Sequence, residues 1–198
     1  MGHVADMSIK TDLMTILLNM HDYNHQNGAH KALFEIETVN FEVFHDEGFR
    51  SHAYYNMPRK APSLKDIMSN PAVLIMPKVI NAHLENIFPS IVIFHSETPI
   101  GTVKQIHLFV PESETHTRTY VLMYGRANHP IFNLAQKNIL ALAKTVVQQD
   151  ADILGKIYPN SPQKIKLNNE IGMDWVRRNF EHFPTLPEPI LSRPALPS

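Results

Sequence analysis

A chain of 198 residues has the length of one domain and can bury roughly 70% of its unfolded surface, so a sizeable core is available. A formal net charge of −1 sets up no field for nucleic acid or an anionic membrane, and zero cysteines remove disulfides, thiolate zinc sites, cysteine-held iron–sulfur clusters and cysteine nucleophiles together. No apolar run approaches the roughly 20 residues of a membrane span and no signal-peptide pattern opens the chain, so a cytoplasmic soluble protein is expected.

Residues 8–25 read as the first helix. Leu13, Ile16, Leu17 and Met20 recur at helical spacing, Thr11 or Asp12 can cap the start, and Asn27-Gly28 should end it, because glycine readily takes the left-handed conformation past a helix C-terminus. The middle of the chain reads as antiparallel sheet. Ala32–His45 alternates in part, Gly48–Met57 is its hairpin partner, and further strands are expected at Ala72–Val79, Ser90–His95, Thr102–Val110 and Arg118–Arg126. Turn-forming stretches such as Ser96-Glu97-Thr98-Pro99 and Pro111-Glu112-Ser113-Glu114 separate them. A long helix follows at about Pro130–Ile157, then a second from about Asn168 to His182, in which Trp175 belongs to the packing face. The expected division is one domain over residues 1–183 and a proline-rich tail over 184–198, an extended arm and not core. The order of elements predicts an α+β protein with a long helix on one face of a curved antiparallel sheet. Such an arrangement tends to leave an elongated apolar cavity, which the abundant Met and Phe residues would line, or else simply fill as core.

The chain has 12 histidines, and two of them carry a geometric argument. On one continuous helix, His25 and His30 would point about 140° apart. A break at Asn27-Gly28 lets the chain turn and bring both imidazoles to one point, as suits a borderline metal such as iron or zinc. Asp22 stands one turn before His25 and can fix that ring's tautomer without touching the metal. In the long helix, Leu142, Ala143, Val146, Val147, Ile153, Leu154 and Ile157 make an apolar stripe with Asp150 in its middle, whereas Asp152 falls about 200° away and should be solvated. A carboxylate on a buried face must be protonated, paired with Arg or Lys, or bound to metal. Two histidines and one carboxylate compose the facial triad of non-haem iron sites, with coordination positions left open.

Asn19-x2-Asp22-x2-His25-x4-His30, followed more than a hundred residues later by Gln149-Asp150-Ala151-Asp152-Ile153-Leu154, resembles the C-terminal catalytic domain of Rieske non-haem iron oxygenases, in the branch of pheophorbide a oxygenase and vanillate demethylase. The resemblance runs from about residue 15 to 182; Gln149 stands where the family usually has an acidic residue. It implies a START-like helix-grip fold, His25, His30 and Asp150 as ligands of a mononuclear Fe(2+), and Asp22 as the carboxylate that links this iron to a Rieske histidine of a neighbouring subunit. A Rieske cluster needs two cysteines and two histidines, so this chain carries no iron–sulfur cluster.

The expected function is the catalytic component of a non-haem iron oxygenase that hydroxylates or demethylates a small apolar or aromatic substrate. Its electrons would come from an external Rieske or ferredoxin-type partner, and a homo-oligomer fits the same scheme. The rival is a helix-grip protein that binds an apolar ligand and keeps a vestigial or structural metal site, and a third reading is a regulatory or scaffolding subunit of a larger oxygenase. No phosphate loop, nucleophile elbow or HExxH motif appears, and His95-Ser96-Glu97 cannot form a triad because neighbours on a strand face opposite sides. His52, His83, His107, His116, His129 and His182 have no spacing argument; His107 could line a cavity from its strand, or be an ordinary surface or satisfied core histidine.

Overall fold

Alternation of inward and outward side chains organises the middle of this chain as strands. The structure, a computed structural model, describes residues 2–69, 74, 76–156 and 170–184. Seven strands, β1 (His3–Ile9), β2 (Asn40–Asp46), β3 (Arg50–Pro58), β4 (Val79–Ile87), β5 (Ile91–Thr98), β6 (Gly101–Ser113) and β7 (His116–Ala127), form one curved antiparallel sheet. Their order is β1-β7-β6-β5-β4-β3-β2, so β2 to β7 run as a meander and β1 closes onto β7. The period-two pattern is clean in the centre: Ala53, Tyr55 and Met57 of β3 and Ile80, Ala82 and Leu84 of β4 are buried, and their neighbours in sequence face outward.

β1 and β2 occupy opposite edges, so the chain between them has to cross the sheet. It crosses as three short helices, α1 (Leu13–His21), α2 (His25–Ala29) and α3 (Lys31–Phe34). Asp12 caps α1 by accepting from the Thr15 amide at 2.8 Å. A single-turn helix α4 (Leu64–Ser69) lies between β3 and β4; the long α5 (Ile131–Leu154) follows β7, and α6 (Ile171–His182) packs against α1. The core has two parts. Ile16, Leu17, Ile36, Leu84, Trp175 and Val176 belong to one, beneath α1 and α6, and Val4, Val121, Phe132, Ala143 and Val147 to the other, beneath α5.

Two glycines are required by their surroundings. Gly48, in the turn between β2 and β3, has φ +77° and presents its carbonyl to Trp175 Nε1 at 2.9 Å, which ties α6 to the sheet. At Gly172 a Cβ would stand 2.3 Å from the Tyr23 hydroxyl and 3.2 Å from His21 Cβ, so glycine lets α6 approach the end of α1.

The α+β helix-grip reading holds, with several corrections to element limits. The expected helix over 8–25 is in fact the end of β1, a capped helix from Leu13 to His21, and a separate helix from His25. The break falls at Asp22 and not at Asn27-Gly28: Gly28 lies inside α2, and the left-handed residue of this region is Glu35, φ 52°. Strand β1 was not anticipated, because His3–Ile9 buries only Val4, Ala5 and Ile9 and lacks a regular alternation. The strand expected from Ala32 begins only at Asn40, since the chain is still crossing the sheet as α3. β4 was also missed; most of the strand expected over Ala72–Val79 lies outside the described residues, as does the tail after residue 184.

Candidate metal centre

The three residues singled out in the sequence come together. α1 ends at His21, the chain turns through Asp22, and His25 opens α2. His30 is the first residue past α2, with φ −115° and ψ 4°, and this departure from helical geometry swings its ring toward His25. The two imidazoles meet edge to face, centroids 5.4 Å apart and planes at 77°. Asp150 reaches the same point from the last turns of α5. Its Oδ1 is 3.1 Å from His30 Nε2 and 3.8 Å from His25 Nε2, and one ligand atom of each residue lies within 4.8 Å of the others.

Hydrogen bonds set both imidazole tautomers. His25 Nδ1 donates to the backbone carbonyl of Asp22, and His30 Nδ1 donates to Gln149 Oε1 at 2.9 Å. In the neutral rings, each Nε2 therefore keeps its lone pair and aims it at Asp150. The Gln26 amide donates to His25 Nε2 at 3.2 Å, in keeping with that assignment. His30 Nε2 and Asp150 Oδ1 are both buried without a hydrogen-bond partner: they stand 3.1 Å apart but converge on a common point instead of aligning with one another. Two orphaned donor atoms in one buried spot are what a cation would satisfy. Ligands bound at about 2.0–2.2 Å stand roughly 3 Å apart, so the residues fit a single ion. Burial holds the His25 ring below its usual pKa. Burial is also the largest influence on His30, but the opposing pull of Asp150, with Gln149, leaves that ring raised.

Asp152, four residues after Gln148, is exposed and accepts from the Gln148 amide at 2.9 Å, as the helical stripe required. The Asp22 carboxylate does not contact the His25 ring; its Oδ1 accepts from the Asn24 amide at 3.1 Å, and only its main-chain carbonyl touches the imidazole. The side chain stays half-buried at the turn.

The centre sits in the wall of a cavity of about 170 Å³. Met20, Met57, Phe94, Met123 and Leu142 supply apolar lining, with His25 and Asp150 in the same wall. Sequence reasoning left His107 without a role, and it too lines this cavity. It is 7% exposed, and burial pushes its pKa down to about 4. The Gln105 amide donates to His107 Nε2 at 2.7 Å, which leaves the proton of the neutral ring on Nδ1. The signal for it was strand parity: His107 shares the inward face with Val103 and Phe109.

Residues 9–174 match the family model of the vanillate O-demethylase oxygenase C-terminal domain. The chain belongs to this family. It is thus a C-terminal catalytic domain of the Rieske oxygenase type, and it carries a His-His-Asp group that could hold a metal ion. Solved structures agree on the fold of this vanillate O-demethylase-type domain. Dicamba monooxygenase bound to 3,6-dichlorosalicylic acid superposes with a TM-score of 0.68 at 16% identity, over 91% of this chain and 57% of that one. NdmA of Pseudomonas putida CBB5 with caffeine gives 0.61 at 10% identity, over 89% and 49%. NdmB of the same organism gives 0.57 at 12% identity, over 88% and 47%. The chain therefore spans about half of the length of the solved oxygenases it resembles. No curated protein matches it by sequence.

Proposed function

We propose that this domain is the catalytic component of a mononuclear non-haem iron oxygenase that hydroxylates or demethylates a small apolar or aromatic substrate. The observation that carries the reading is the convergence of His25 Nε2, His30 Nε2 and Asp150 Oδ1 in the wall of an apolar cavity. His25, His30 and Asp150 would hold Fe(2+), and the bound iron would supply oxygen activation. The protein does the rest. Asp22 and Gln149 hold the two imidazoles in the Nε2-free tautomer. The cavity, about 170 Å³, suits a single aromatic ring, since an engineered cavity of roughly 150 Å³ takes up benzene. Its apolar walls exclude water, and His107 offers an Nδ1–H to an acceptor atom of the substrate and so orients it.

Electrons would arrive from a Rieske-type cluster held outside these 198 residues, none of which is a cysteine. Asp22 would lie on their path, its half-buried carboxylate accepting a hydrogen bond from a histidine of the donor, within a homo-oligomer or across a transient contact. Among the described residues no helix is long and apolar enough to cross a membrane, and we place the enzyme in the cytoplasm. The test is oxygen consumption by the iron-loaded protein with an aromatic ether as substrate. Turnover is expected with a reductase and a Rieske ferredoxin, and none with a nicotinamide cofactor alone. Stoichiometric iron with no turnover under any reductant would favour a binding protein of the same fold.

A further inference from the structure

The outer face of the sheet carries a second group of histidines, on the side away from the cavity. His52 of β3 and His83 of β4 alternate with the buried Ser51, Ala53, Ala82 and Leu84, so both point outward. They are diagonal neighbours in the register, where His52 stands opposite Glu85 and His83 opposite Tyr54. This diagonal brings His52 Nδ1 within 2.9 Å of His83 Nε2.

We propose that His52 and His83 form a second metal site, for a late first-row divalent ion of tetragonal preference, Cu(2+) or Ni(2+). The spacing carries the choice of ion. With metal–nitrogen bonds of about 2.0–2.1 Å, two nitrogens at a right angle stand about 2.9 Å apart, and at a tetrahedral angle about 3.3 Å. The right-angle value is the observed one, and tetragonal nitrogen sites select Cu(2+) or Ni(2+) over Zn(2+), with Cu(2+) the tighter.

The pair is built and not accidental in its orientation. His83 is stacked between Tyr54, centroids 4.4 Å apart at 6°, and His95, 4.5 Å apart at 20°. His95 is held by Glu85 at 3.2 Å, and Glu85 by an ion pair to Arg50. A ligand fixed through three successive contacts loses little freedom on coordination. The nitrogens are also available. Burial first, and then the nearby His95 and His52, hold His83 at a pKa of about 4, so the ring is neutral at pH 7. His52 Nδ1 and His83 Nε2 share one proton across 2.9 Å, so one of the two nitrogens already presents its lone pair to the other. On coordination the proton now shared between the two imidazoles moves to the other nitrogen of the ring that carries it, so both rings bind as neutral ligands, and Glu47 and Glu85 supply negative charge against Arg50 and Lys104.

The test is titration of the full chain with Cu(2+), followed by equilibrium binding and by electron paramagnetic resonance. Wild type should take up two ions. His30→Gln combined with Asp150→Asn should leave one, with superhyperfine structure from two imidazole nitrogens. His52→Asn or His83→Asn should each remove that ion and the signal, and His129→Asn, on an exposed histidine elsewhere, should not. Ni(2+) should raise the Tm of the His30→Gln/Asp150→Asn protein but not after His52→Asn is added. Both substitutions face solvent, and circular dichroism confirms that each variant is folded. Two ions retained in His52→Asn and in His83→Asn, or loss in only one of them, overturns the site. So does Zn(2+) binding there as tightly as Cu(2+). None of these outcomes depends on whether the protein is an oxygenase.

Discussion

At the scale of single residues, Asp150 and Asp152 make the sharpest contrast. They are two positions apart on α5, yet Asp150 Oδ1 is buried and faces both imidazoles while Asp152 is solvated. Asp150→Ala should abolish stoichiometric Fe(2+) binding, and Asp152→Ala should leave it unchanged, as read by calorimetric titration under anaerobic conditions. Equal losses from both would mean that the helix face has been assigned wrongly. Asp22 calls for a different measurement. Its backbone, not its carboxylate, bonds His25, so Asp22→Asn should retain iron within about tenfold, a loss at the lower limit for removal of a supporting partner. Coupled turnover with a Rieske donor should fall by a larger factor than iron affinity. Full turnover with full iron would remove Asp22 from the electron path. The identities of these residues were legible because donor chemistry is written in the side chain itself. The bonding partner of His25 was not, because a main-chain carbonyl has no signature in sequence.

Among the elements, α6 is the one whose seat can be tested directly. It reaches α1 only because Gly172 has no side chain: a Cβ would meet the Tyr23 hydroxyl at 2.3 Å. Gly172→Ala should therefore destabilise the fold by about 1–3 kcal/mol, the usual cost of forcing atoms into a packed contact. The reduced midpoint would be seen in urea denaturation, with the slope unchanged. An unaltered midpoint would mean that α6 docks more loosely than its contact with Tyr23 indicates. Long periodic elements such as α5 and the strands β6 and β7 were readable, since ten or more residues repeat one pattern. In the stretch from His3 to Phe34 only the helix at Leu13–His21 and its Asp12 cap were readable. Its pieces are short, so local propensity decides little there, and the crossing from β1 to β2 is imposed by where those strands pair.

For the whole molecule, buried neutral histidines predict how stability follows pH. Burial is the first cause in each of His21, His83 and His107, and it lowers all three from 6.5 to about 4. The unfolded chain binds these protons between pH 6.5 and 4 and the folded one does not. Their contribution is thus complete above pH 6.5, declines as pH falls, and is lost below about 4. His21, wholly buried and stacked on Trp175, should account for about 2 kcal/mol of lost stability between pH 7 and pH 5. Urea midpoints at the two values check this, and His21→Phe should flatten the dependence by that amount; an unchanged slope would exclude His21 as a source. By itself the sequence picked out His25, His30 and Asp150, the α+β class and the lack of any cysteine for a cluster, because these depend on side-chain type and on repeats a few residues long. The tertiary structure alone decided that His107 enters the cavity, that His52 meets His83, and that Gln149 holds His30 from 119 residues away, because each follows from strand register and helix docking between distant segments.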